Sequence, residues 1–169
     1  MVMRYWFDTE FIEAGRSIDL ISIGVVSEDG RRYYAESMEC RLERAGPWVS
    51  EHVLPHLTGV KTGRWEIAGA LEVFMGREPE IWGYYADYDW VVLCQLFGTM
   101  MDLPKGWPMY CRDVKQLCDS RGNPPLPKQI PETEHHALYD AIWTKQAHAY
   151  LEDHGKMKSL INMEGLLDG

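Results

Sequence analysis

Asp8 and Glu10 stand two residues apart inside an aromatic run, Arg-Tyr-Trp-Phe-Asp-Thr-Glu-Phe-Ile at positions 4–12. Such a run reads as a strand. A period of two places both acids on one face, with Cα atoms roughly 6.5 Å apart. A strand this apolar belongs in a covered sheet, where neighbouring carboxylates repel and lose hydration. They need a cation or a hydrogen-bonded frame, unless the strand is an edge with a solvated face. Asp89 opens a helical pattern and shares its stripe with Leu93, Leu96 and Phe97. The plain alternative is an acid stabilised by the helix dipole, and Asp87 competes for the same role. Asp140 lies in a last helical pattern, on the face of Trp143, Ala147, Tyr150 and Leu151. His135 and His136 precede it. A neutral imidazole beside acids can take a proton from water, although an exposed pair of histidines is the ordinary reading. His52 and His56 are four apart, but Pro55 intervenes and no Glu completes H-E-x-x-H. With His148 and His154 they read as structural or surface residues.

The elements that must position these groups begin with a meander. Residues 4–12, 19–27 and 32–38 read as three strands, with Asp29-Gly30 as a hairpin signal before the third. Helical patterns follow over 48–57, interrupted by Pro55, and over 65–75. A strand is expected at 81–85, a helix over 90–97, a strand at 109–111 and a helix over 113–120. Four prolines make 122–131 a loop. Thr133 is the expected N-cap of a final helix running to about Leu151. The pattern predicts one α/β domain over residues 1–169: a mixed sheet flanked by helices, opening with an antiparallel three-strand meander.

Composition sets limits. Hydrophobic residues make up 46% of the 169 and charged residues 25%, as in globular proteins. No run of 18 apolar residues is present, which predicts no membrane span. An early acid argues against a signal peptide, so a cytoplasmic protein is expected. Cys40, Cys94, Cys111 and Cys118 form no C-x-x-C pair and read as reduced thiols. The net charge of −9 argues against a basic nucleic-acid footprint. Divalent cations held by surplus carboxylates remove that objection. Phosphate-binding glycine loops and the G-x-S-x-G nucleophile motif are absent.

The ordered set Asp-Thr-Glu (8–10), Tyr-Asp-x-x-Val-Leu (88–93) and His-His-Ala-Leu-Tyr-Asp-Ala (135–141) resembles the DEDDh exonucleases. Their pattern is D-x-E on the first strand, a middle Asp, and H-x-A-x-x-D near the end. Spacing to Val92-Leu93 favours Asp89 over Asp87. His136 fills the variable position between His135 and Ala137. Phe-Asp-Thr-Glu-Phe-Ile-Glu, Ser-Ile-Gly-Val-Val-x-Glu-Asp-Gly and Tyr-Asp-x-Val-Val-Leu-Cys-Gln-Leu are also similar to the RNase AS group, polyadenylate-specific exoribonucleases related to RNase T.

The resemblance implies a ribonuclease-H-like fold, a homodimer, and 3′-to-5′ trimming of single-stranded RNA 3′ ends, poly(A) in particular, to nucleoside 5′-monophosphates. It implies that Asp8, Glu10, Asp89 and Asp140 hold two Mg²⁺ or Mn²⁺ ions, for which oxygen ligands are suited. His135 is the implied general base. Substrate contacts are expected at the RNA end from Thr9, between the two acids, and from Phe11, Tyr84 and Trp90, whose rings would stack on bases. Arg112, Lys115, Arg121 and Lys128 are candidates for a basic contribution from a partner chain. The rival readings are a DNA-directed 3′-5′ exonuclease and an inactive nucleic-acid-binding module. Metal-dependent trimming separates the second; RNA against DNA substrates separate the first.

Overall fold

The computed structural model describes the backbone of residues 2–165 and the side chains of residues 2–155. The elements are β1 (Met3–Glu13), β2 (Ile18–Ser27), β3 (Arg32–Ser37), α1 (Pro47–His52), β4 (Lys61–Thr62), α2 (Arg64–Met75), β5 (Pro79–Gly83), α3 (Asp87–Phe97), β6 (Arg112–Asp113), α4 (Val114–Ser120) and α5 (Ala137–Gly165). They form a six-stranded sheet in the order β4-β3-β2-β1-β5-β6. β1, β2 and β3 are the expected antiparallel meander, while β5 runs parallel to β1 and β6 parallel to β5. The sheet is therefore mixed, with β1 at the seam. Among the described residues no helix is long and apolar enough to cross a membrane.

Alternation along β1 sorts two cores. Tyr5 and Phe7 point to one face, with Ile23 and Val25 of β2, and are covered by Ile67, Leu71 and Met75 of α2 and Val92, Leu93 and Leu96 of α3. Trp6 points to the other face, against Val114 and Cys118 of α4 and Ala141, Ala147 and Leu151 of α5. Asp8 and Glu10 follow Trp6 on that second face. A third cluster seats α1: Val49 and Val53 pack with Ile12, Ile21 and Cys40.

Several boundaries differ from expectation: the strand expected at 81–85 forms at Pro79–Gly83, and the helix expected over 48–57 is split into Pro47–His52 and a 3-10 turn at Leu54–His56. The strand expected at 109–111 forms instead at Arg112–Asp113, because pairing with Trp82 and Gly83 on β5 sets the register. Thr133 does not cap the last helix; it closes a 3-10 turn, Pro131–Thr133, and the helix starts at Ala137. His136 takes the capping place, its Nδ1 accepting from the Leu138 N–H at 3.2 Å. The helix also passes Leu151 and runs to Gly165, the last described residue. All four cysteines are free thiols; three are buried and Cys111 is partly so.

One glycine sets the depth of α5. Gly24 lies mid-strand in β2, opposite Asp8 on β1 and Tyr34 on β3. A Cβ there would stand 2.3 Å from the Leu138 Cα and backbone N. The absent side chain lets the start of α5 lie on the sheet between Asp8 and Tyr34. Gly24→Ala is expected to lift that helix start, costing about 1–3 kcal/mol as an overpacked contact. Urea unfolding measures it. Wild-type stability in this variant would mean that the helix is not seated by Gly24.

Candidate active site

Two rows of side chains cross the sheet on the α5 face. One runs Asp8, Gly24, Tyr34; the next runs Glu10, Ser22, Glu36. Directly opposed residues share a face, about 5 Å apart. Because Gly24 leaves room, α5 brings Asp140 down beside Asp8 and Glu10.

Asp89 arrives from the other side of β1. Pairing between β1 and β5 ends at Trp6 and Trp82, after which the chain turns into α3. Near Thr9 the β1 backbone is still paired with β2 but has no strand partner on its β5 edge. Asp89 Oδ1 fills the gap, accepting from the Thr9 backbone N–H at 2.8 Å and its hydroxyl at 2.6 Å. A crevice where neighbouring strands diverge is where open α/β sheets place their ligands.

Asp140 is framed too. Its Oδ2 accepts from the His135 backbone N–H at 2.9 Å, and its Oδ1 accepts from Gln129 Nε2. One atom each from Glu10, His135 and Asp140 lies within 4.8 Å of the others. His135 holds φ of 63°, a left-handed conformation that histidine tolerates better than most side chains. The bend aims its imidazole at the acids while its N–H stays on Asp140.

The electrostatics are those of crowded anions. Burial pushes the Asp8 carboxyl well up, reinforced by Asp89, Glu10 and Asp140. Burial, then Asp140 and Asp89, raise Glu10 to about 8. Burial raises Asp140 to about 6 although its bonds from Gln129 and His135 oppose it. Burial raises Asp89 against the two Thr9 bonds. None of the ion pairs formed by the described residues involves these four acids. A desolvated set of hard oxygen donors without a protein cation is chemically suited to divalent cations. Burial lowers His135, and His52 and His56 lower it further while Glu134 opposes, which favours the neutral imidazole.

These shifts give a stability signature. A raised carboxyl binds its proton more tightly in the folded chain, so its contribution is complete below the unfolded value and lost as pH rises through the folded one. For Asp140 that window is 3.8 to about 6, and for Glu10 it is 4.5 to about 8. In EDTA, stability is expected to fall from about pH 5 to pH 8, by up to about 1.4 kcal/mol per pH unit per titrating group, and Tm with it. Glu10→Gln should flatten the fall. A metal-free Tm that rises across this window more in wild type than in Glu10→Gln would contradict the shifts.

The structure brings Asp8, Glu10, Asp89, Asp140 and His135 together, and separates the expected substrate contacts. Phe11 is beside the acids. Alternation from Tyr5 and Phe7 puts it on the α3 face, where it stacks on exposed Tyr88 with centroids 5.9 Å apart. Thr9 is buried with both donors on Asp89, so it orients an acid rather than facing a substrate. Tyr84, just past the end of β5, lies on the face of Trp82 and packs edge-on against Trp143 at 4.9 Å in the α4–α5 core. Trp90 is one helical step from Asp89, about 100° around α3; it packs on the other core and lines a groove with Cys94, Gln95 and Met100. Among the basic candidates, Arg112 pairs with Glu80, Lys115 with Asp119, and Arg121 donates to the Leu151 carbonyl at 2.8 Å.

Several neighbours escaped the sequence reading. Gln129 lies in the proline-rich loop and carries no motif. Trp48 and His52 of α1 stack on each other at 4.8 Å, and Trp48 meets His135 edge-on at 4.8 Å. Their i, i+4 spacing was visible, but nothing local says that α1 folds over the start of α5. Gly24 had a signal: a glycine between the apolar residues Ile23 and Val25 in mid-strand marks close backbone approach.

The comparisons with known proteins agree with this chemistry. Residues 3–151 match the domain family described as 3′-5′ exoribonuclease Rv2179c-like, a span that contains all five clustered residues. The chain is 48% identical over 147 residues to the 3′-5′ exoribonuclease Rv2179c of Mycobacterium tuberculosis strain ATCC 25618 / H37Rv, covering 82% of this chain and 87% of the relative. The same figures hold for the 3′-5′ exoribonuclease MT2234.1 of strain CDC 1551 / Oshkosh. Likeness of that depth, running through the strand, helix and helix that carry the acids, means that the chain belongs to the Rv2179c-like 3′-5′ exoribonuclease domain family and is a nuclease hydrolase.

Proposed function

We propose that the protein is a metal-dependent 3′-to-5′ exoribonuclease of the DEDDh type on a ribonuclease-H-like fold, which trims single-stranded RNA ends, preferring adenylate, to nucleoside 5′-monophosphates. The observation that carries this reading is the convergence of four carboxylates and one histidine from β1, α3 and the start of α5, in a chain whose relatives are named 3′-5′ exoribonucleases. Asp8, Glu10, Asp89 and Asp140 would hold two Mg²⁺ or Mn²⁺ ions. Bound there, the ions lower the pKa of water and neutralise charge at the scissile phosphate.

The residues of the chain do the rest. Neutral His135 accepts the proton of the attacking water. Its backbone N–H on Asp140 fixes the distance between base and acid, and Thr9 fixes Asp89 on β1. The stacked Phe11–Tyr88 pair offers exposed ring surface to the terminal base, a contact worth roughly 1–3 kcal/mol. The loaded site then attracts a polyanion, which the net charge of −9 alone would repel. Each chain acting as a single exonuclease domain, within a cytoplasmic homodimer, completes the proposal.

A time course on 5′-labelled oligo(A), oligo(U), oligo(C) and oligo(dA) tests the substrate. Shortening on oligo(A) alone supports the adenylate preference, and equal ladders on every RNA discard it. Faster loss of oligo(dA) than of oligo(A) favours the DNA-directed alternative. Tight RNA binding in EDTA contradicts the role given to metal.

A further inference from the structure

We infer that Glu36 is a positioning residue for His135, acting from the second side-chain row without touching substrate; the inference rests on the function proposed above. Glu36 is 1% exposed, on β3, and among the described residues no lysine, arginine or histidine forms an ion pair with it. A buried carboxylate without a counter-cation persists only when hydrogen bonds replace its hydration. Four do. Oε1 accepts from the Thr58 N–H at 2.5 Å, the Thr58 hydroxyl at 2.8 Å and the Tyr34 hydroxyl at 3.1 Å. Oε2 accepts from the Gly59 N–H at 3.0 Å.

These partners belong to the two structures that flank His135. Tyr34 shares the face of Glu36 and stacks on His136 with centroids 4.6 Å apart. His136 is the residue whose Nδ1 closes the start of α5. On this side, Glu36 holds the ring on which the residue next to His135 rests. Thr58 and Gly59 form the turn that follows α1 and its 3-10 extension, Leu54–His56. α1 carries Trp48 and His52, which meet the His135 ring at 4.8 Å and 6.0 Å. On that side, Glu36 anchors the segment whose aromatic rings form the wall behind the imidazole.

His135 needs such support. Its left-handed backbone puts the ring at the end of a bend, and among the described residues no side-chain hydrogen bond holds that ring. The wall and the capped helix start fix its direction instead. Glu36 joins the two through one carboxylate. A shift of an ångström or less at a proton-accepting group is enough to lower turnover by up to about 10²-fold. Substrate and metal groups lie on other residues and should keep their affinities.

The test compares wild type, Glu36→Gln, His135→Ala and the double variant on 5′-labelled oligo(A). The readouts are kcat, KM, the Mg²⁺ concentration for half-maximal rate, and Tm. Glu36→Gln is expected to lower kcat about 10-fold, with KM and Mg²⁺ dependence within about twofold. In the His135→Ala background it should lower kcat little further, because the group it positions is gone. A loss that multiplies with an effective His135→Ala overturns the inference, as does a loss confined to KM. A silent His135→Ala removes the His135 assignment and this inference together, which separates the two failures. Should Glu36→Gln not fold, Tyr34→Phe combined with Thr58→Ala removes two of the four bonds and is held to the same kcat-only, non-additive pattern.

Discussion

Asp8→Asn is expected to abolish RNA trimming and at the same time to raise the Tm of the protein in EDTA. The two effects share one origin. Asp8 sits on the sheet face where Glu10, Asp89 and Asp140 converge, and all four carboxyls are pushed up by burial and mutual repulsion. A neutral isostere relieves the repulsion, so the metal-free fold gains stability. It also removes one of the oxygen donors on which cation binding depends. Transition-state charge stabilisation of several kcal/mol is then lost, a fall on the order of 10³-fold or more in turnover. A merely structural acid would behave oppositely: its loss would lower Tm and spare the rate. Retained trimming, or a lower Tm in EDTA, would mean that Asp8 is not part of a cation site.

His135→Ala is expected to lower kcat by about 10²–10⁴-fold while Mg²⁺ binding survives. The imidazole lies within 4.8 Å of the Glu10 and Asp140 ligand atoms, and burial lowers its pKa. The bond that fixes Asp140 comes from the backbone of residue 135 and persists in the variant. Alanine at φ of 63° pays a backbone cost of roughly 1–2 kcal/mol, so Tm falls modestly. His135→Asn, which tolerates that conformation, separates the two effects: it should restore Tm and leave the rate low. Restored rate in His135→Asn would assign residue 135 a role in shape rather than in proton transfer. The Mg²⁺ dependence of Tm checks the binding half of the prediction.

Much of this arrangement could be read before any fold was known. Strand periodicity put Asp8 and Glu10 on one face of β1, and the three motifs named the groups that the structure brings together. The meander and the sites of α2, α3 and α4 followed from alternation and helical stripes. What stayed hidden depended on packing between distant segments. Tyr84 and Trp90 neighbour Asp89 in sequence, but the place of Tyr84 on the face of Trp82 and the α3 helical step send them to opposite cores. Thr133 has the side chain of a cap, yet the prolines before it close a 3-10 turn and leave capping to His136. Thr9 was expected to face the substrate; it orients a third acid instead, because β5 leaves the sheet early. Glu36 carries no motif, and its role is visible only when β3, the turn after α1 and the start of α5 are seen together.

The central claim is that this acid cluster is a metal-dependent 3′-end nuclease site. The most direct measurement is product analysis on a 5′-labelled single-stranded oligo(A), with Mg²⁺ or with EDTA, and with the 3′ hydroxyl free or blocked. The account predicts a ladder shortening from the free 3′ end, adenosine 5′-monophosphate as the released product, and no reaction in EDTA. Internal cleavage of the blocked strand, 3′-phosphate products, or undiminished trimming in EDTA would contradict it.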